Sequence, residues 1–197
     1  MNKPDRASLR KDLRSKRHAL SSAEQHHAAR RLYHQVINQR FFIKARRIGF
    51  YFASDGEIDP LPILFKALEM GKQCLLPVLS PRHPGRVCFA PFVEGDSLQP
   101  NQWGILEPVA PARHFVSPRS INLVFVPLVG FDEHCNRLGM GKGFYDRTFA
   151  YGARTGYNKP KLVGLAHQCQ KADSIPINTW DVPMSRIVSD REIYYPH

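Results

Sequence analysis

The feature that most constrains the fold is an unbroken apolar run at residues 123–131, LVFVPLVGF. A strand without polar alternation is typical of a parallel sheet that helices cover on both faces. A glycine-rich loop follows this run directly, and a helix is predicted to begin at about Phe144. We therefore expect a strand–loop–helix unit at the centre of an α/β domain.

Further helix and strand signals alternate along the chain. Helices are predicted at residues 5–19, 22–39 and 61–70, the second with Ser21 or Ser22 as its N-cap and Glu24 in its first turn. Strands are predicted at residues 47–53, 74–79, 87–93, 162–166 and 186–188, and residues 94–118 as an irregular connection. This alternation predicts one domain over residues 1–197, with a mainly parallel, Rossmann-like sheet flanked by helices. The basic helices of residues 1–40 are expected to pack on that sheet.

Positive charge is concentrated near the N-terminus. The net charge is +11, and residues 1–47 hold thirteen Lys and Arg against three acidic residues, so the remaining 150 residues are almost neutral. Such a segment attracts polyanions such as a nucleic acid, a nucleoside triphosphate or a polycarboxylate. The alternative is that these charges form a solvated helix face.

Membrane and secreted classes are disfavoured. No apolar run approaches the roughly 20 residues of a membrane span, and the basic N-terminus lacks the apolar segment of a secretory signal. It could pass for a transit peptide, but Leu9, Leu13 and Leu20 recur as in a helix that packs on a body. The four cysteines form neither a C-x-x-C pair nor a Cys/His cluster, which favours free thiols over a zinc site. We expect a cytoplasmic protein.

The loop after the central strand has the composition of an anion site. Gly139, Gly141 and Gly143 alternate along it, and glycines let the backbone approach a ligand closely. The start of the following helix adds N–H groups that suit phosphate. The same stretch carries three cations: Arg137, Lys142 and Arg147. It matches neither the dinucleotide fingerprint nor the P-loop, so it is either a phosphate loop of another type or a tight turn. The density of glycines and cations favours phosphate.

Residues 131–147 form the run F-D-x-x-x-x-R-L-G-x-G-x-G-F-Y-D-R, which resembles the signature of the 5-formyltetrahydrofolate cyclo-ligase family, also called methenyltetrahydrofolate synthetases. The likeness extends to Arg6 and Arg10 in the basic N-terminal helix, to residues 52–58, and to residues 165–170 and 180–183. Two positions differ: Cys135 stands where the family usually has glycine, and Arg6 where lysine is common.

The resemblance implies a ligase of folate-dependent one-carbon metabolism, with ATP as co-substrate and Mg²⁺ as metal. It would convert 5-formyltetrahydrofolate and ATP into 5,10-methenyltetrahydrofolate, ADP and phosphate. Phosphorylation would turn the formyl oxygen into a good leaving group, and folate N10 would then attack the activated carbon. Positioning and charge neutralisation dominate such phosphoryl transfer. The folate substrate could carry a polyglutamate tail, and no nucleic-acid or membrane partner is expected.

The resemblance also implies which residues form the site. ATP would contact Arg6, Arg10, Arg137, Leu138, Gly139, Met140, Gly141, Lys142, Gly143, Phe144 and Tyr145. Folate would contact Arg10, Phe52, Glu57 and Tyr145, with Glu57 accepting from the pterin N–H edge and Trp103 as a weaker neighbour. Arg137, Lys142 and Tyr145 are the implied catalytic residues. Mg²⁺ would be held by Asp146 and Asp181, although Asp146 alternatively caps the helix.

Two other function classes remain open from the sequence. A nucleic-acid-binding protein would explain the basic N-terminus but leaves the glycine loop without a role. Such a protein also needs aromatic residues that stack on bases, and Tyr33 is the one aromatic residue in the basic helices of residues 1–40. A sugar-phosphate isomerase or coenzyme A transferase relative would share the α/β architecture but needs no ATP.

Overall fold

The computed structural model describes residues 5–150 and 160–196. Its helices are α1 (Arg6–His18), α2 (Ser22–Ile37), α3 (Arg40–Ile43), α4 (Leu61–Glu69) and α5 (Phe144–Phe149). Its strands are β1 (Arg47–Gly49), β2 (Gln73–Leu79), β3 (Val87–Phe92), β4 (Leu98–Pro100), β5 (Leu106–Pro108), β6 (Leu123–Pro127), β7 (Gly130–Phe131), β8 (Arg137–Leu138), β9 (Lys161–Ala166), β10 (Arg186–Ser189) and β11 (Ile193–Tyr194).

Seven strands form the central sheet, in the order β11-β10-β9-β6-β1-β2-β3. The five strands from β10 to β2 run parallel, and the edge strands β11 and β3 are antiparallel to their neighbours. The predicted mainly parallel sheet with flanking helices is therefore confirmed. After β1 the chain adds β2 and β3 on one side of that strand and then β6 on its other side. A topological switch point therefore lies between β1 and β6. Ligands of open α/β sheets bind outside the strand ends at such a point.

Both faces of β6 are buried, as its sequence predicts. Leu123 and Phe125 join the core cluster beneath α2 and α4, whereas Val124 and Val126 join the cluster beneath Phe149 of α5. Side chains alternate across a strand, so a continuous apolar run is what a strand between two helical layers requires. Burial of each such side chain contributes about 1.5–3 kcal/mol.

The two N-terminal helices also follow their sequence signals. Ser21 caps α2 with a complete capping box, because its hydroxyl accepts from the Glu24 N–H while the Glu24 carboxylate accepts from the Ser21 N–H at 2.8 Å. The side chain of Leu13 in α1 is buried against Val129 and Leu138, and this contact places the basic helix beside the carboxyl edge of the sheet. Across residues 5–150 and 160–196, no helix combines the length and the apolar character needed to cross a membrane.

The prediction of a single strand over residues 123–131 is wrong. β6 ends at Pro127, and residues 130–131 pair instead with β8 in a separate antiparallel hairpin. The break is stabilised by the side-chain amide of Gln170, which donates to the carbonyls of Leu128 and Val129 at 2.6 and 2.9 Å. These carbonyls therefore bond to a side chain rather than to a neighbouring strand.

Two other segments differ from the prediction. The strand predicted at residues 47–53 pairs with its neighbours only as far as Gly49, and the chain then continues toward the site without regular strand pairing. Residues 94–118 are not wholly irregular, because β4 and β5 form an antiparallel hairpin. Glu107 of this hairpin accepts from the Leu79 N–H at 3.1 Å and so attaches the hairpin to the end of β2.

Candidate functional site

A cleft of about 1170 Å³ opens at the carboxyl edge of the sheet. Its walls come from α1, the segment after β1, the end of β6 and the glycine loop (residues 139–143). The predicted site residues that line it are Arg6, Arg10, Phe52, Glu57, Arg137, Gly139, Met140, Gly141, Lys142, Gly143, Phe144, Tyr145, Asp146 and Asp181. Leu138 does not line it, because this side chain is buried beside Leu13 and Val129.

The glycine loop has a backbone that requires glycine. Gly141 and Gly143 have φ angles of +91° and +62°, in the left-handed region that side chains disfavour. The guanidinium of Arg10 lies against the loop, since a Cβ atom on Gly141 would be 3.6 Å from it, and its Nε donates to the Gly139 carbonyl at 2.8 Å. Helix α1 thus contributes a cation directly to the loop.

Lys142 of the glycine loop and Arg147 of α5 have different surroundings. The Nζ of Lys142 lies 4.0 Å from the ring centroid of Trp103, which itself meets the ring of Phe144 edge-on at 5.3 Å. No carboxylate of the described residues forms an ion pair with Lys142. Arg147 instead supports the loop, because it donates to the carbonyls of Lys142 and Gly85. Lys142 is therefore the loop cation most available to an anion.

An ion pair between the buried Arg137 and the partly buried Asp146 lies in the cleft wall. The Arg137 guanidinium donates to Asp146 Oδ1, and the same oxygen accepts from the Val182 N–H at 3.0 Å. The Arg137 Nε is buried and has no hydrogen-bond partner among the described residues. The side chain of Asp146 does not cap α5, whose N-cap residue is Gly143 and which has no side-chain cap. An unpaired buried donor on an arginine suits an anionic ligand, because leaving it unsatisfied is costly.

Asp181 is paired in a similar way. Its Oδ2 accepts from Arg6 and from the Asn178 N–H, both at 2.8 Å, and Arg6 also donates to the Pro176 carbonyl. In both Asp146 and Asp181 the second carboxylate oxygen makes no hydrogen bond to a described residue. Mg²⁺ is usually held by one or two carboxylates together with substrate phosphates, so this donor set fits it. The described residues contain no cluster of three or more metal-ligating side chains.

The other end of the cleft presents a carboxyl group in apolar surroundings. Glu57 accepts from the N–H and hydroxyl of Ser54 at 3.1 and 3.3 Å, and burial raises the pKa of Glu57 to about 7. Burial and the charge of Glu57 raise the pKa of Tyr145 well above its ordinary value, so its hydroxyl keeps its proton at neutral pH. The ring of Phe52 packs edge-on against Phe92 at 5.8 Å.

The sequence analysis missed the ion cluster that holds the Glu57 loop. Asp55, with a φ of +52°, accepts from the Nε and Nη2 of Arg14 at 2.9 Å, from Arg17, and from His18 at 3.0 Å. The hydrogen bond from Arg14 is the main reason why the pKa of Asp55 falls to about 2. Arg14 and Arg17 continue the helical spacing of Arg10, so the 10, 14, 17 pattern was a usable signal for one cationic face.

Asp132 is part of the sequence motif, but the sequence predicted no role for it. It is buried, and its carboxylate accepts from the N–H groups of His134, Asn136 and Ile175 at 2.9–3.0 Å. Within the same turn Cys135 has a φ of +63°. This non-glycine residue therefore adopts the left-handed backbone that a glycine would take most easily, and its presence leaves the turn intact.

The fold and the cleft define an α/β enzyme whose cationic glycine loop faces a carboxyl-containing apolar pocket at the switch point of a parallel sheet. The sequence model of the 5-formyltetrahydrofolate cyclo-ligase family matches residues 2–190. The chain belongs to this family, and it is a ligase.

Similar proteins agree in name and in fold. A 5-formyltetrahydrofolate cyclo-ligase of Haemophilus influenzae is 34% identical over 189 residues, which cover 95% of this chain and 99% of that protein. One from Escherichia coli K12 is 30% identical and covers 92% and 98%. The NMR structure of 5,10-methenyltetrahydrofolate synthetase from Aquifex aeolicus superposes with a TM-score of 0.81 at 27% identity, over 96% of this chain and 92% of that one.

Proposed function

We propose that this enzyme converts 5-formyltetrahydrofolate and ATP into 5,10-methenyltetrahydrofolate, ADP and phosphate, with phosphorylation of the formyl oxygen before N10 attacks. The observation that carries the proposal is the shared cleft: the glycine loop with Lys142 and Arg10 lines the same cavity as Glu57 and Phe52. A direct phosphoryl transfer between two ligands requires that they lie side by side.

At the loop end, cations bind and orient the triphosphate. Lys142 belongs to the glycine loop, and Arg10 reaches the same loop from α1. Arg137 offers its unsatisfied Nε, while Asp146 holds its guanidinium in place. Charge-assisted hydrogen bonds to phosphate are about twice as strong as neutral ones. These donors neutralise charge on the transferred group, which is the main contribution a protein makes to phosphoryl transfer.

Mg²⁺ fits at Asp146 and Asp181 through the oxygens that make no hydrogen bond to described residues. When bound, Mg²⁺ neutralises phosphate charge and orients the phosphates. Each of the two aspartates forms an ion pair with an arginine of the proposed ATP site. A carboxylate that is already fixed by an arginine needs little rearrangement to act as a metal ligand.

At the other end, Glu57 accepts hydrogen bonds from the pterin N–H edge, and Phe52 and Tyr145 contact the folate ring system. Tyr145 keeps its proton, so it serves as a hydrogen-bond donor rather than as a base. Burial around Glu57 excludes water, which strengthens each polar contact with the ligand. The formyl group would then lie between the two ends of the cleft.

Two broader assignments accompany this proposal. The substrate includes polyglutamylated folate, because the cleft is open to solvent and its lining includes the exposed cations Lys142 and Arg147. The compartment is the cytoplasm, in keeping with four free cysteines. Nucleic acid is not proposed as a partner: Arg6, Arg10, Arg14 and Arg17 of the basic N-terminus all contact the site or its loops.

The test is to mix the protein with 5-formyltetrahydrofolate and Mg-ATP and to follow the near-ultraviolet absorbance of the methenyl product. ADP and phosphate should appear in equal amounts with it. Omission of ATP should abolish the reaction, and omission of Mg²⁺ should slow it strongly. Product formation without ATP would refute the phosphorylation step, and ATP hydrolysis without methenyl product would refute the substrate.

A further inference from the structure

A second cleft, of about 540 Å³, lies at the opposite edge of the sheet from the folate and ATP site. Its lining includes Asn122, which precedes β6, Lys161, which begins β9, and Arg186, which begins β10, together with residues of α3. β6 is five residues long and ends at Pro127, which lines the first cleft. A strand of that length separates the two clefts by about 17 Å. We call this second site the basic cleft.

Four cations and no carboxylate line the basic cleft: Arg40, Lys44, Lys161 and Arg186. In the ranges 5–150 and 160–196, no aspartate or glutamate forms an ion pair with any of the four. Like charges gathered in one cleft repel each other, and a concave cleft of one sign attracts a counter-ion. This arrangement therefore favours an anion.

Arg186 is the best-fixed of these cations. Its guanidinium carbon lies 4.5 Å from the ring centroid of Phe41 and 5.3 Å from that of Tyr195. Its Nε is buried and has no hydrogen-bond partner within the described part of the chain. The side-chain oxygen of Asn122 already accepts from the N–H groups of residues 46 and 47, which leaves its amide N–H₂ as a donor. Stacked guanidinium and amide donors are preorganised for an anion that has several oxygens.

We propose that the basic cleft binds a small anion that carries phosphate groups and at least two negative charges. The volume lies within the range of small-molecule sites, and lysine and arginine donors suit phosphate oxygens. A nucleic-acid backbone would need an extended basic groove with stacking aromatic residues, whereas here the cations surround one concavity. The site is distinct from the ATP site, and its existence does not depend on the proposed reaction.

The test is a titration of ¹⁵N-labelled protein with pyrophosphate in phosphate-free buffer of low ionic strength, followed by amide chemical shifts. Saturable shifts are expected at residues 44, 122, 161 and 186. Lys44→Gln combined with Lys161→Gln should weaken this binding by about tenfold or more, and both side chains are exposed, so the fold should persist. Lys11→Gln combined with Lys16→Gln removes the same charge from exposed positions elsewhere and should leave the affinity unchanged.

Three results would overturn the proposal. Shifts confined to residues 137–147 would assign pyrophosphate to the ATP site alone. Equal affinity in the two double variants would show that the shifts reflect net charge. Tighter binding of a single-stranded oligonucleotide or a triglutamate peptide at the same four amides would assign the cleft to another class of ligand.

Discussion

Lowering the pH from 8 to 6 should weaken the binding of 5-formyltetrahydrofolate by about tenfold, because Glu57 must lose its proton before both of its oxygens can accept from the pterin N–H edge. A neutral carboxyl group would present an O–H donor to another donor. Burial raises the pKa of Glu57 to about 7 in the free protein. The ionised fraction is therefore about 0.9 at pH 8 and about 0.1 at pH 6, which gives the tenfold change, or about 1.4 kcal/mol.

The assay is titration calorimetry of folate binding without ATP, at intervals between pH 6 and pH 8. Glu57→Gln should bind more weakly than the parent at pH 8 and should lose the pH dependence, since an amide does not ionise in this range. Glu69→Gln is the matched control, because Glu69 is exposed on α4 and pairs with Lys66. A parent affinity that does not change with pH, or the same slope in Glu57→Gln, would refute the role of Glu57.

Stability measurements separate this effect from misfolding. The folded-state pKa of about 7 exceeds the usual value of 4.5, so the folded protein binds the proton more tightly than the unfolded chain. The stability associated with that proton is complete below pH 4.5 and is lost as the pH rises through 7. At pH 8 the parent carries the cost of a buried carboxylate, and Glu57→Gln should be at least as stable. A variant that is clearly less stable at pH 8 would contradict this reasoning.

Three further predictions concern other parts of the site. Lys142→Ala should reduce turnover at subsaturating ATP by about tenfold or more, because one charge-assisted contact contributes about 1.5–3 kcal/mol, while Lys11→Ala should leave steady-state kinetics unchanged. Arg6→Gln combined with Arg10→Gln should weaken ATP binding by about a hundredfold in calorimetry; affinity equal to the parent would remove the N-terminal helix from the site. Asp132→Ala should lower the free energy of unfolding by about 2–4 kcal/mol in urea denaturation, because three backbone N–H groups lose their acceptor, and Asp132→Asn should cost less because it keeps one carbonyl oxygen.

Features determined by neighbours along the chain were predictable from the sequence. The capping box of Ser21 and Glu24 involves residues three positions apart, and its signal is local. The apolar run at β6 predicted burial on both faces because alternate side chains point to opposite sides. The glycine loop was predicted because positive φ angles, as at Gly141, require that residue type.

Features that depend on pairs distant in sequence were not predictable. The ion pair between Arg6 and Asp181 joins residues 175 positions apart, and nothing local to either indicates the partner. Pro127 ended β6 in the structure, but the apolar run continues past it, so hydrophobicity alone could not separate two strands from one. The hairpin of β4 and β5 has strands of only three residues, too short for a periodic pattern.

Helix α1 contacts both halves of the cleft, which is the positioning that the proposed two-substrate reaction requires. Arg10 donates to the Gly139 carbonyl of the glycine loop, while Arg17, seven positions later, donates to the carbonyl and carboxylate of Asp55, two residues before Glu57. Between them, Leu13 is buried in the core. Because positions 10, 13 and 17 lie on one face of a helix, one rigid element fixes the distance between the two loops. Phosphoryl transfer depends on such positioning, so the basic charge of the N-terminal helix is explained by two loops that it must hold at once.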